Sequence, residues 1–201
     1  MTKSKTEQLR EIKDAVVGLT TSPLYSFRQQ EKNLPVIGEG SHEAQIMFIG
    51  EAPGKNEAKT GRPFCGAAGK LLDELLASIN LPREQVYITN IVKDRPPQNR
   101  DPLPEEIFIY GPFLDQQIEI IKPKIIATLG RYSMTYVLDK FKLGQHGTIS
   151  DLHGRVIEAA AAYGPIKIVP LYHPAAAIYN QHLKATLLDD IKILKTLWVS
   201  L

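Results

Sequence analysis

Four short apolar runs, at 45–50, 86–92, 124–130 and 166–171, constrain this chain more than any other feature. Each is brief and apolar at successive positions, which suits a strand covered on both faces. The segments between them carry helical spacing. Leu71, Leu72, Leu75, Leu76 and Ile79 line one side of a helix over 68–79. A helix over about 104–121 opens with Pro104, Glu105 and Glu106, and acids in a first turn are favoured by the helix dipole. Gly111-Pro112 within it predicts a kink or a division. Further helices are expected over 6–17, ended by Gly18, from 131 through Leu138, and over 183–198. The segments 51–67 and 93–104, rich in Gly and Pro, read as loops, and 155–159 is a candidate edge strand. Alternating strands and helices predict an α/β fold: one three-layer α/β/α domain over 1–201, with a central, mostly parallel four-stranded sheet. Its first 37 residues are an N-terminal helix and loop. Such sheets bind ligands beyond the carboxyl ends of their strands. The loops after Gly50, Asn90 and Leu171 are therefore expected to face one crevice.

Composition narrows the class. With 201 residues, 43% of them hydrophobic, the chain can bury roughly 70% of its unfolded surface without a metal or disulfide staple. A net charge of +2 with that apolar content excludes a disordered chain. No run of about 18 apolar residues occurs, so no membrane partner is expected. The polar opening Met1 to Gln8 cannot be the apolar core of a signal peptide. The single cysteine, Cys65, excludes an intramolecular disulfide and any site needing two thiolates from this chain. A reduced, cytoplasmic compartment and a monomer are the simplest expectations. Lys55, Lys59, Arg62 and Lys70 face one acid, Glu57, across 54–70, and 159–188 contains no Asp or Glu.

Three stretches carry chemistry. Gly69-Lys70 resembles the end of a phosphate loop, but Phe64 and Leu71 stand where Gly and a magnesium-binding hydroxyl are needed. The stretch 50–66 is richer. It follows a strand directly, delivers Glu51 and Glu57 at the strand end, and has glycines that let backbone N–H groups approach a ligand. Phe64 lies between Pro63 and Cys65 in a loop, where its ring either packs into the core or stacks on something flat. His173 follows the last strand in the acid-free region, with Pro174 fixing the turn into a helix; no sequence neighbour raises its pKa, so a neutral imidazole is expected. Asn90 lies within an apolar strand, where its amide, when buried, must bond the backbone or read a ligand.

Gly50-Glu-Ala-Pro-Gly54, Gly61-Arg-Pro-Phe-Cys-Gly66, Thr89-Asn90, Arg95-Pro-Pro-Gln-Asn-Arg100 and His173-Pro-Ala-Ala176 together resemble the signature of the uracil-DNA glycosylase superfamily. The branch they resemble is the thermostable, iron–sulfur-containing one called family 4. The likeness runs from about Gly38 to the C-terminus. It implies an enzyme that flips a deaminated base out of DNA and hydrolyses its N-glycosidic bond. Glu51 falls on the family's catalytic carboxylate, which places and activates a water and stabilises an oxocarbenium-like sugar. His173 falls on the family's histidine, a neutral donor to uracil O2. The resemblance further implies base binding by Ala52, Phe64, Asn90 and Glu57: Phe64 stacks on the flipped base and Asn90 pairs with its imide edge. DNA contacts are expected from Lys55, Arg62, Arg95 and Arg100, with Ile178 as an apolar wedge in the minor groove.

The chain departs from that pattern in several places. The family's four cluster-binding cysteines fall at Leu19, Ser22, Asp94 and Tyr110, none of them Cys. Thiolates bind such clusters, so no [4Fe–4S] cluster, no metal and no other cofactor is expected. Apolar packing by Leu19 and Tyr110 is the expected substitute. An acid that often follows Glu57 in the family is Ala58 here. The family's Leu-Leu-Arg after the two alanines is Ala177, Ile178 and Tyr179, which removes a phosphate contact. These readings add up to a monofunctional DNA repair glycosylase acting on uracil-containing DNA. Two alternatives stand beside it: a glycosylase for another deaminated base such as hypoxanthine or xanthine, and a non-catalytic protein that binds damaged DNA.

Overall fold

The computed structural model describes residues 3–144 and 147–199. The elements run α1 (Lys5–Val17), α2 (Tyr25–Gln30), β1 (Glu39–Gly40), β2 (Ile46–Gly50), α3 (Lys55–Thr60), α4 (Ala67–Ser78), β3 (Tyr87–Asn90), α5 (Pro104–Ile121), β4 (Ile125–Leu129), α6 (Arg131–Lys140), α7 (Ile149–Leu152), β5 (Ile157–Ala161), β6 (Gly164–Leu171), α8 (Pro174–Ala177) and α9 (Gln181–Val199). No helix among the described residues is long and apolar enough to cross a membrane.

The sheet has six strands in the order β1-β3-β2-β4-β6-β5. The expected four-stranded sheet is its parallel centre, β3-β2-β4-β6. Two antiparallel edges complete it. β1 is two residues long and pairs with β3, too short to leave an apolar signal in sequence. β5 folds back on β6 in a hairpin, with Ala161 opposite Gly164. Its residues alternate between half-buried and exposed, as expected of an edge with one face toward water.

Alternating side chains along the central strands build two cores. Met47 and Ile49 of β2, with Ile126 and Ile168, pack against α1, α5 and α6 through Leu9, Ile12, Val16, Leu114, Ile118 and Val137. Ile46 and Phe48, with Ala127, Leu129 and Val169, pack against α4 and α9 through Leu72, Leu75, Leu76, Leu187, Ile191 and Leu194. This is the three-layer α/β/α arrangement, and it explains why the central runs are mostly apolar on both faces, with Thr89, Asn90 and Thr128 as buried polar exceptions.

Several local expectations change. Gly111-Pro112 neither divides nor ends α5: Pro112 is exposed, so the hydrogen bond its ring removes lies on the solvent side. The 51–67 loop holds α3, which begins after Gly54, ends at Gly61 and buries only Ala58; one buried residue leaves no period to read. The 1–37 segment carries a second helix, α2. The loop expected after Leu138 carries α7, and its residues 145 and 146 lie outside those described.

Candidate active site

Because β2, β3, β4 and β6 are parallel, their carboxyl ends share one edge of the sheet. Gly50 pairs with Asn90 at the ends of β2 and β3, and Leu129 pairs with Leu171 at the ends of β4 and β6. Ile91 N–H donates to Gly50 O at 3.1 Å and Val92 N–H to Glu51 O at 3.0 Å, extending the ladder past the strands. A cavity of about 320 Å³ opens beyond this edge, lined by Glu51, Ala52, Glu57, Phe64, Asn90, Arg100 and His173 among others. The three loops expected to converge do so.

Backbone detail makes the crowding possible. A Cβ on residue 50 would lie 2.3 Å from Asn90 Oδ1 and 2.7 Å from Phe64 Cζ, so only glycine leaves room there for both side chains. At the end of β4, Gly130 has φ +93°, and a Cβ there would press on His173 Cβ at 3.1 Å. Phe64 is itself a non-glycine residue in the left-handed region, at φ +48°. That strain sits on the ring flooring the cavity, in keeping with strained backbone clustering at functional sites. Glu57 braces the same loop. Its Oε1 accepts from Cys65 N–H at 2.9 Å and Gly66 N–H at 2.8 Å, fixing the turn that presents Phe64.

His173 and Glu51 are tuned in opposite directions. Burial pulls the His173 imidazole down to about 4, against a smaller upward pull from Glu57. The ring is therefore neutral near pH 7. Ala175 N–H donates to its Nδ1 at 3.1 Å, so the ring proton sits on Nε2, a hydrogen-bond donor. The ring centroid lies 5.7 Å from that of Phe64, with the planes tilted by 32°. Burial pushes the Glu51 carboxyl up to about 7; the charge of Asp101 adds to the rise and Arg131 opposes it. Asn90 is buried, and its Oδ1 has no hydrogen-bond partner. An unpaired buried carbonyl is costly, and this one belongs to a residue that lines the cavity, with the oxygen itself lying against Gly50.

The remaining expected residues are scattered around this centre. Arg100 lines the cavity, but its guanidinium forks onto the buried Glu106 carboxylate at 2.6 and 2.9 Å. Arg62 lies off the cavity, held by Glu39 at 2.8 and 2.9 Å. Arg95 donates to Asn99 Oδ1 at 2.6 Å. Lys55, exposed at the start of α3, has no ion pair among the described residues. Ile178 is half-buried, whereas Tyr179 beside it is 97% exposed. Ala58 is buried and does not line the cavity. Sequence reasoning passed over Asp101 and Arg131, which join at 2.7 Å and act electrostatically on Glu51. The signal was available: Arg131 follows the carboxyl end of β4, the one central strand whose end was not examined.

A buried polar network occupies the region where the resemblance places cluster ligands. Ser22 Oγ lies 2.7 Å from the Tyr110 hydroxyl, which donates to Asp94 Oδ2 at 2.5 Å. Arg28 Nη1 donates to the same carboxylate at 3.0 Å, and its two terminal nitrogens donate to Val16 O and Val17 O. Arg28 and Asp94 are 3% and 1% exposed. These side chains are mutually satisfied, none is a thiolate, and Cys65 lies in the Phe64 loop, 3.3 Å from Thr60 Oγ1. The donor set does not fit an iron–sulfur cluster. Tyr110 thus holds this region through its hydroxyl as well as by the packing expected of it.

Glu51, Phe64, Asn90 and His173 thus share one slot at the carboxyl edge of the sheet of an α/β/α domain. Residues 37–195 match the Uracil DNA glycosylase superfamily, and the chain belongs to it. It is 45% identical to the type-4 uracil-DNA glycosylase of Sulfurisphaera tokodaii over 196 residues, 96% of this chain and 86% of the relative. It is 47% identical to the type-4 enzyme of Archaeoglobus fulgidus over 157 residues, 78% of each chain, and 41% identical to that of Thermotoga maritima over 193 residues, 94% of this chain and 95% of the relative.

Proposed function

We propose that the protein is a monofunctional uracil-DNA glycosylase that everts uracil from DNA and hydrolyses its N-glycosidic bond, leaving an abasic site. The observation that carries this reading is Asn90, a residue whose buried Oδ1 lacks a partner among the described residues, on the lining of a cavity shared with Phe64, His173 and Glu51. Uracil presents a donor at N3 and an acceptor at O4, so Asn90 Oδ1 accepts from N3–H while its Nδ2 donates to O4. Cytosine reverses both groups and leaves buried polar atoms facing like partners. The base stacks on Phe64.

As the C1′–N1 bond breaks, its electron pair passes to the uracil ring. His173 Nε2–H stabilises the charge that grows on O2, so the leaving base need not be protonated in that step. Glu51, as carboxylate, offsets the positive charge on the sugar and takes a proton from the water that attacks C1′. Ala52 lines the same slot, and Glu57 acts on the base through the loop it braces.

For DNA, the unpaired Lys55 supports a direct phosphate contact. Arg95 and Arg62 keep guanidinium N–H groups outside their bonds to Asn99 and Glu39, whereas Arg100 has both terminal nitrogens on Glu106 and would meet phosphate by sharing them. Exposure supports Tyr179, rather than Ile178, as the side chain that reaches the base stack. The Ser22–Tyr110–Asp94–Arg28 network stands in place of an iron–sulfur cluster, and the protein works as a monomer without a cofactor. The test is base release from single-stranded, U·G and U·A oligonucleotides beside hypoxanthine and xanthine substrates, with the iron content of the purified protein measured. Uracil release without strand cleavage, and no stoichiometric iron, is expected. Release of the purines alone would turn the reading to the other deaminated bases, and binding without release to a damage sensor.

A further inference from the structure

Lys93 is fully buried, and the chemistry above makes no use of it. Its Nζ reaches Asn90 O at 2.6 Å, Gln117 Oε1 at 2.6 Å and Thr89 Oγ1 at 2.9 Å. All three present lone pairs to it. Asn90 O can only accept. Gln117 turns its amide nitrogen to Ile37 O and the Tyr87 hydroxyl, at 2.9 and 3.1 Å, which leaves its oxygen for Lys93. The Thr89 hydroxyl makes its shortest donation to Ile37 O, at 2.6 Å. Three acceptors match the three hydrogens of an ammonium. Burial alone drives the Lys93 pKa well below the usual lysine range, and the acceptors oppose that drive. A lysine in an otherwise apolar interior is costly to keep, so a specific task is the economical explanation.

The geometry points to Lys93 as a positioning residue for base recognition, clamping the backbone carbonyl of Asn90 to α5 so that the side-chain amide of Asn90 keeps its place on the cavity lining. The inference rests on the glycosylase reading for its consequence but not for its geometry. Asn90 is the last residue of β3, and beyond it only the Ile91 and Val92 N–H bonds to Gly50 O and Glu51 O continue the ladder. Lys93 adds a tie to Gln117, in the C-terminal part of α5. Its own carbonyl accepts from Val36 N–H at 2.8 Å, which anchors the clamp on a further segment.

The decisive experiment is a double-mutant cycle between Lys93→Met and Asn90→Ala, read as single-turnover uracil release from a single-stranded oligonucleotide. Lys93→Met keeps the volume and removes the donors. It is expected to slow release by about 10- to 100-fold, the loss that follows when a recognising group shifts by about an ångström. In the Asn90→Ala background the same change should cost no more than about threefold, since the group it positions is gone. Equal losses in both backgrounds, or no loss in a folded Lys93→Met protein, would overturn the proposal. Should Lys93→Met not fold, Gln117→Leu cuts the tie to α5 and enters the same cycle. If the wild type releases no uracil, the Asn90 side-chain amide signals in a ¹H–¹⁵N spectrum, assigned through Asn90→Ala, remain the readout. They shift or broaden in Lys93→Met if the clamp is real, and unmoved signals refute it.

Discussion

The loop that leaves β3 serves two regions with opposite habits. At one end Asn90 holds a buried oxygen with no partner, in a cavity where Glu51 and His173 are pushed away from their ordinary protonation behaviour. A few residues on, Asp94 sits in a network where Tyr110 and Arg28 satisfy it and Ser22 and the α1 carbonyls complete the set. Both regions bury polar groups at similar depth. In the second, every group finds its partner within the protein, which serves stability. In the first, one lacks a partner among the described residues and two are shifted in pKa, the pattern that the proposed ligand site would need. Burial alone does not separate function from scaffold; satisfaction does.

Substitutions at Asp94 and Asn90 break this contrast most sharply. Asp94→Ala leaves the Arg28 guanidinium buried without its anion and is expected to lower stability by about 3–5 kcal/mol in denaturant titration. Uracil release at low temperature should stay within about threefold of wild type, because the network touches no cavity residue. Asn90→Ala should do the reverse. It removes a buried group that nothing in the protein satisfies, so thermal unfolding should move by no more than about 0.5 kcal/mol. Single-turnover release should fall by about 10²–10³-fold, the typical result of deleting a donor aimed at developing charge.

The pH dependence comes next in size. The proposed mechanism needs Glu51 as a carboxylate, and burial raises its pKa to about 7. The rate should therefore fall about tenfold per unit as pH drops below that value and level off above it. His173, pulled down to about 4, stays neutral through that window and adds no second limb before then. Glu51→Gln should flatten the profile, and a profile that slopes equally in that variant would remove the carboxylate from the step. The smallest effect is on salt dependence. Lys55→Ala should reduce the slope of log affinity against log salt by about one, while Arg62→Ala, already paired with Glu39, should change it less. Binding titrations on a short duplex at several ionic strengths check this.

Much of the fold was legible in sequence because the central strands are covered on both faces, and such strands are mostly apolar without alternation. Their carboxyl ends then brought Glu51, Asn90 and His173 together by topology alone. Short elements were not legible. β1 has two residues and α3 buries one, so neither shows a period. Partnerships across the chain were hidden as well. Arg62 and Arg100 read as free cations, because the acids that engage them, Glu39 and Glu106, cannot be paired with them by spacing. Tyr110 read only as an apolar filler because its hydroxyl partners, Ser22 and Asp94, lie 88 and 16 residues away.

The account stands on Glu51 and His173 acting on one everted uracil from two sides of a single cavity. Single-turnover release of uracil from a single-stranded oligonucleotide, compared among wild type, Glu51→Gln and His173→Ala, tests it most directly. The wild type should release the base, and each variant should lose about 10²-fold or more while keeping its fold. Full activity in both variants, or none in the wild type, contradicts the account.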